Sequence, residues 1–300
     1  MVSWTCVDTH YAWVPGIRNR HVAARLIMTP FNHPPRVYNT GMRVAAIVEY
    51  DGSAFCGWQW QDHAPSVQAA VEAALSKVAN EPVRVITAGR TDSGVHATGQ
   101  VIHFDTQVPR TAYAWVRGAN SNLPPQVALL WAGEVDAEFH ARFSATGRGY
   151  RYVILNRTVR PTLLAHRVTH EFRSLDAARM QQAADLLVGT HDFSSFRAMQ
   201  CQAKTPVREL RRLEVQRVGE LVIITVTANA FLHHMVRNLA GVLMTIGAGE
   251  REPDWARQVL EARDRTVGGI TAAPDGLYLM TVQYPERFGI PQLSSAIGLW

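Results

Sequence analysis

The sequence predicts an α+β protein made of two ferredoxin-like halves, each running β-α-β-β-α-β with an antiparallel sheet. Two observations predict it. A strand-like apolar run followed by a helix-period stripe occurs twice, and each is succeeded by further strands punctuated by Gly- and Asp-containing turns. The 300 residues are 47% apolar, ample for a buried core.

In the first half, residues 43–50 (RVAAIVEY) form a β-rich run closed by the turn Asp51-Gly52. Ser66 is placed to cap a helix, because Val67, Val71, Ala74, Leu75 and Val78 recur at helical spacing and make one buried stripe. Residues 82–88 and 100–106 read as strands on either side of a glycine-bracketed loop. A short helix over 113–119 and a strand over 127–135 complete this half.

The second half opens with a strand at 150–156 and a helix capped by Ser174 and terminated by Gly189. Strands at 207–217 and 221–227 make a hairpin about Val218-Gly219, and a helix follows at 234–246. One extra helix, 254–263, and a last strand, 276–284, close the order. The halves divide as 42–140 and 141–287, with a tail at 288–300. Helices then cover one face of each sheet and leave the opposite faces, or a joined central cleft, to bind something large. RNA-recognition modules use the same order.

A net charge of +5 favours a polyanionic partner, with nucleic acid foremost. Of thirty basic residues only Lys77 and Lys204 are lysine; guanidinium suits phosphate forks and stacking on bases, although a codon bias toward Arg would look the same. No apolar run is long enough to span a membrane. Three scattered cysteines, Cys6, Cys56 and Cys201, point to a reducing cytoplasm rather than a disulfide scaffold. Residues 1–41 are proline-rich, basic and aperiodic, and read either as a flexible extension or as the product of a start codon upstream of the domain.

Chemistry concentrates in Gly89-Arg90-Thr91-Asp92-Ser93-Gly94-Val95-His96. By itself an aspartate between glycines reads as a turn residue bonding its own backbone. The wider pattern changes that reading. Glu49-Tyr50-Asp51-Gly52-Ser53, Gly57-Trp58-Gln59, the Asp92 loop, His140-Ala141-Arg142-Phe143-Ser144-Ala145, Tyr150-Arg151-Tyr152, Asp192-Phe193-Ser194-Ser195-Phe196-Arg197, Phe231-Leu232-His233-His234-Met235-Val236-Arg237-Asn238 and Gly276-Leu277-Tyr278-Leu279 occur in order. Together, over residues 42–284, they resemble the TruA family of tRNA pseudouridine synthases.

The resemblance implies the pseudouridine synthase fold and conversion of uridine to pseudouridine at positions 38, 39 and 40 in the anticodon arm of tRNA. It also implies a homodimer and no metal or redox cofactor. Asp92 matches the family nucleophile. Arg90 and Arg237 match its basic neighbours, needed because burial disfavours a charged carboxylate. Tyr150 matches a tyrosine that stacks on the everted base and can move a proton, and Leu277 an apolar pocket wall. Arg142, Arg148 and Arg151, with Arg208 and Arg211, are candidate phosphate contacts. Trp60 and Gly149 stand where relatives often carry a basic residue, and Trp60 offers either a stacking or a packing surface.

Two rival readings differ in kind. A metal enzyme is disfavoured because His233 and His234 stand at the start of a predicted helix, and successive helical residues diverge by about 100° and do not readily face one ion; no HExxH or Cys cluster exists. A noncatalytic RNA-binding protein with two RRM-like halves shares the charge and the fold. It leaves Asp92, Arg90, Tyr150 and Arg237 unexplained.

Overall fold

Strand β1 (Met42–Tyr50) has a buried centre from Val44 to Val48, and so needs neighbours on both edges and cover on its faces. It finds β3 (His96–Thr106) and β4 (Val127–Val135), both antiparallel. This computed structural model describes residues 41–199 and 201–293. The remaining elements are α1 (Val67–Ala79), β2 (Ile86–Thr87), α2 (Ala112–Asn120), β5 (Gly147–Asn156), β6 (Thr169–Glu171), α3 (Ala177–Asp185), β7 (Gly189–Asp192), β8 (Val207–Val218), β9 (Leu221–Ala228), α4 (Met235–Gly247), α5 (Trp255–Ala262) and β10 (Leu277–Gln283). The fold is α+β, with ten strands in one mostly antiparallel sheet ordered β4-β1-β3-β10-β5-β9-β8-β7; β2 pairs with β3, and β6 with β5.

The last strand makes the sheet continuous. β10 lies antiparallel to β5 and pairs in parallel with the start of β3 through Tyr278↔His96 and Leu279↔Ala97. At this seam Gly99 passes so close to β10 that an added Cβ would stand 2.4 Å from the Met280 carbonyl oxygen. Only glycine allows that approach.

The main core unites helical stripes with strand faces. Val67, Val71 and Leu75 of α1 and Trp115 of α2 join Met180 of α3, Leu239 and Leu243 of α4, and Tyr150, Tyr152, Leu277 and Leu279 of the sheet. A smaller cluster, Val153, Leu155 and Val168, occupies the other face of β5, as the two-residue alternation of a strand requires.

Several sequence expectations are corrected. The strand at 82–88 shrinks to β2 because side chains of α1 take its amides: Val83 N–H donates to Ser76 Oγ at 2.8 Å and Val85 N–H to Glu72 Oε1 at 3.0 Å. β3 starts at His96, before the expected 100, where Tyr50 and β10 supply partners. Asp176, not Ser174, caps α3, accepting from the amides of Ala178 and Arg179. α3 ends at Asp185, and Gly189 opens β7, an element absent from the sequence reading, as is β6. Phe288, assigned to a tail, is buried with its ring 5.3 Å from that of Phe139. The proposed extension over 1–41, apart from Gly41, and the end of the tail at 294–300 lie outside the described residues.

Candidate active site

The Asp92 loop is fastened on both sides of its carboxylate. Upstream, Ala88 O accepts from Arg148 Nη2 at 2.9 Å and Gly89 O from Gln100 Nε2 at 2.6 Å. The buried Thr91 hydroxyl meets Tyr50 Oη at 2.8 Å, and Thr91 O accepts from Trp58 N–H at 3.1 Å. Downstream, His96 Nδ1 accepts from Gly52 N–H at 3.0 Å, so Nε2 carries the proton and donates to Asp275 O at 3.2 Å. His96 is also stacked on Tyr278, and burial lowers its pKa.

Held there, Asp92 does not cap its own turn. Its Oδ2 accepts from Arg237 Nη1 at 3.1 Å, across 145 residues of chain. Arg237 lies in the first turn of α4 and is itself aimed by donation from Nε to Ala272 O at 2.8 Å. The carboxylate therefore faces a guanidinium carried by the first turn of a helix. The side chains are 23% and 15% exposed, so the pair is partly desolvated yet open to a ligand.

The site also holds both histidines of the HH pair, which the sequence analysis disfavoured as metal ligands. His234 is not helical: it is the N-cap of α4, with φ 61 and ψ 3 and no side-chain capping bond. This left-handed turn removes the 100° divergence expected within a helix. His233 Nε2 lies 3.3 Å from Asp92 Oδ1, His234 Nε2 3.3 Å from Oδ2, and the two rings are 4.1 Å apart. Burial holds His234 below its ordinary pKa, against the pull of Asp92; His233, Arg237 and Arg265 push it lower. No feature of sequence spacing signals this convergence, because it depends on a backbone angle that L-residues rarely adopt.

Tyr150 is buried, its ring edge-to-face with Phe231 at 5.0 Å. Burial pushes its phenol up to about 12, with Arg148 pulling it down and Asp92 raising it. The hydroxyl is thus a proton donor near the carboxylate at neutral pH. Leu277 is buried at the start of β10, opposite Tyr152. It shares the core with Tyr150, without a direct contact to Asp92 among those described.

The arginines divide. Arg90, expected beside the nucleophile, is exposed and makes no ion pair among the described residues, so Arg237 alone fills that role. Arg148 is a strut: it binds the carbonyls of Ala88, Arg142 and Asn229. Arg142 is exposed and lies over the ring of the exposed Phe143, 5.6 Å from its centroid. Arg151 is half-buried with Nε unpaired. Arg208 bonds Thr205 O and Arg211 pairs with Glu209. Trp60 is 45% exposed. At Gly149 a Cβ would come 2.6 Å from Thr281 Oγ1, so a larger residue there requires that side chain to shift.

Fold and site together define a class: an α+β protein in which one carboxylate is held between a guanidinium and two imidazoles. A family model described as tRNA pseudouridine synthase matches residues 46–144 and 183–285. The tRNA pseudouridine synthase A of Nitrosococcus oceani is 59% identical over 259 residues, covering 86% of this chain and 100% of the relative. That of Pseudomonas aeruginosa is 58% identical over 251 residues, 83% of this chain and 88% of the relative. The chain belongs to the tRNA pseudouridine synthase family.

Proposed function

We propose that this protein isomerises uridine to pseudouridine at positions 38, 39 and 40 of the tRNA anticodon arm, with Asp92 as nucleophile. The observation that carries the reading is the contact of 3.1 Å between Asp92 and Arg237, which sets a partly desolvated carboxylate against a guanidinium, as a carboxylate nucleophile requires. The N1–C1′ bond of the everted uridine breaks, the uracil turns, and C5 bonds to C1′. The C5 proton departs and N1 gains one, so no oxidant or cofactor is consumed. Asp92 adds either to C1′ or to the ring and is released at the end. Tyr150 stacks on the base and offers its hydroxyl for proton transfer, with Leu277 as an apolar wall.

The strand orders β4-β1-β3 with β2, and β10-β5-β9-β8, support reading residues 42–140 and 141–287 as ferredoxin-like halves. Asp92 then comes from the first half and Arg237 from the second. Exposed Arg90 and Arg142 are available to phosphates, and Phe143, stacked on His140 at 4.3 Å, to an unpaired base. Arg151 contributes more weakly, and Arg148 acts through the loop it props. Recognition at three adjacent positions fits reading of shape and backbone by a cytoplasmic homodimer. Among the described residues no helix is long and apolar enough to cross a membrane.

Tritium release from tRNA labelled at uridine C5 tests the reading. Wild type is expected to release it, and Asp92→Asn to bind the same tRNA without release. Equal release by the variant would remove Asp92 from the chemistry; binding without release by wild type on any tRNA would leave a noncatalytic RNA-binding protein.

A further inference from the structure

The histidine pair has no assigned part in that reaction, and its geometry is specific. Two imidazole nitrogens and a carboxylate oxygen are donors that zinc-class ions prefer, and here all three ligand atoms lie within 4.8 Å of one another. In a tetrahedral site with bonds of about 2.0–2.1 Å, adjacent donor atoms stand about 3.3–3.4 Å apart. The two histidine–aspartate separations are both 3.3 Å, His233 to Oδ1 and His234 to Oδ2, so each imidazole stands at that spacing from its own oxygen of the one carboxylate. That is longer than the roughly 2.7–2.9 Å of a charge-assisted hydrogen bond, so the atoms are spaced to share an ion better than to bond each other.

The backbone supports the same conclusion. His234 holds a left-handed conformation, φ 61, that a non-glycine residue adopts only against steric resistance. Such strain persists where the surroundings fix it, characteristically at functional sites. Here it points two successive imidazoles at one carboxylate. Both rings are partly exposed, at 40% and 29%, so an ion reaches them from solvent.

We infer that Asp92, His233 and His234 form a three-ligand site for a divalent transition ion of the Zn2+ class, and that filling it silences the nucleophile. The ion sits between the two imidazoles and the carboxylate, whose Oδ1 faces His233 and whose Oδ2 faces both His234 and Arg237, so the guanidinium charge weakens the site without closing it. Mg2+, which demands oxygen ligands and sheds water reluctantly, is excluded by the two nitrogens. The fourth position is left to water. The inhibitory half of this inference rests on the proposed reaction, whereas ion binding does not.

Calorimetric titration of the full chain with ZnCl2, without RNA, reads binding directly, and Co2+ in place of Zn2+ reads geometry through the intense visible bands of four-coordinate cobalt. Asp92→Asn, His233→Gln and His234→Gln are each expected to weaken binding at least about tenfold, with thermal midpoints matching wild type. Carbethoxylation of wild type, mapped by mass spectrometry, needs no variant: bound Zn2+ must shield His233 and His234 while the exposed His63 still reacts. In the tritium assay Zn2+ is expected to inhibit, EDTA to restore activity, and equal Mg2+ to leave it unchanged. Absence of Zn2+ binding, undiminished binding in the folded variants, or unshielded His233 and His234 would each overturn the site. Binding with full activity would overturn the silencing. Absence of tritium release before Zn2+ is added would count against the proposed reaction and leave the binding result standing.

Discussion

Asp92 is held by a guanidinium that is itself aimed, through Arg237 Nε and the Ala272 carbonyl. Arg237→Gln removes both the charge and the fork. It is expected to lower kcat by about 100-fold or more, with Arg237→Lys recovering only part, since an ammonium cannot hold the carboxylate and the carbonyl in one plane. Single-turnover tritium release measures this; equal rates for Gln and wild type would sink the assignment. Arg90 predicts the opposite pattern. Being exposed and unpaired, Arg90→Ala is expected to leave unfolding free energy within about 0.5 kcal/mol while weakening tRNA affinity in a salt-dependent way. A marked drop in stability would show that Arg90 has a structural partner. At this scale ordered motifs singled out Asp92 and Arg237, which the structure brings into contact. The motifs did not separate the aimed arginine from the free one, because that difference lies in where a carbonyl 35 positions away happens to point.

Elements were legible where a pattern decided them alone. The strand at Val127–Val135 matches its expected limits, and α1 carries the expected cap, with Ser66 Oγ accepting from Ala69 N–H. They were not legible where a distant side chain competed for backbone: Glu72 and Ser76 captured the amides of residues 83 and 85. One strand carries a pH liability no periodicity shows. His103 of β3 is 1% exposed, its Nδ1 accepts from Ala141 N–H at 3.1 Å, and burial lowers its pKa to about 4. The unfolded chain therefore binds a proton that the folded chain refuses. Stability is complete above the ordinary value of 6.5 and falls as pH drops toward 4, by up to about 3 kcal/mol. His103→Gln keeps an acceptor for Ala141 without titrating. Urea unfolding at about pH 7 and pH 4.5 should show a smaller decline for this variant; parallel declines would exclude His103 as the cause.

At the scale of the whole molecule, the site is an alignment across a seam. Asp92 precedes β3, the histidines and Arg237 begin α4, and the segment leading into β10 touches both sides. Ala272 O accepts from Arg237 Nε, Ala273 O from Tyr152 Oη at 2.8 Å, and Asp275 O from His96 Nε2. This clasp ties the loop bearing the carboxylate and the helix bearing its guanidinium to one short stretch of chain. Its position depends on β10 lying flat against β3, where Gly99 admits the Met280 carbonyl. Gly99→Ala places a methyl 2.4 Å from that oxygen, too close to be absorbed by a side chain, so backbone must move. The expected loss is about 1–3 kcal/mol of stability. Under conditions where the variant remains fully folded, its kcat should still fall while tRNA affinity changes little, because the displaced clasp shifts Arg237 relative to Asp92. Single-turnover rates and binding isotherms measured together decide it: a folded Gly99→Ala protein with the wild-type rate would mean that the carboxylate and its guanidinium keep their geometry without the seam.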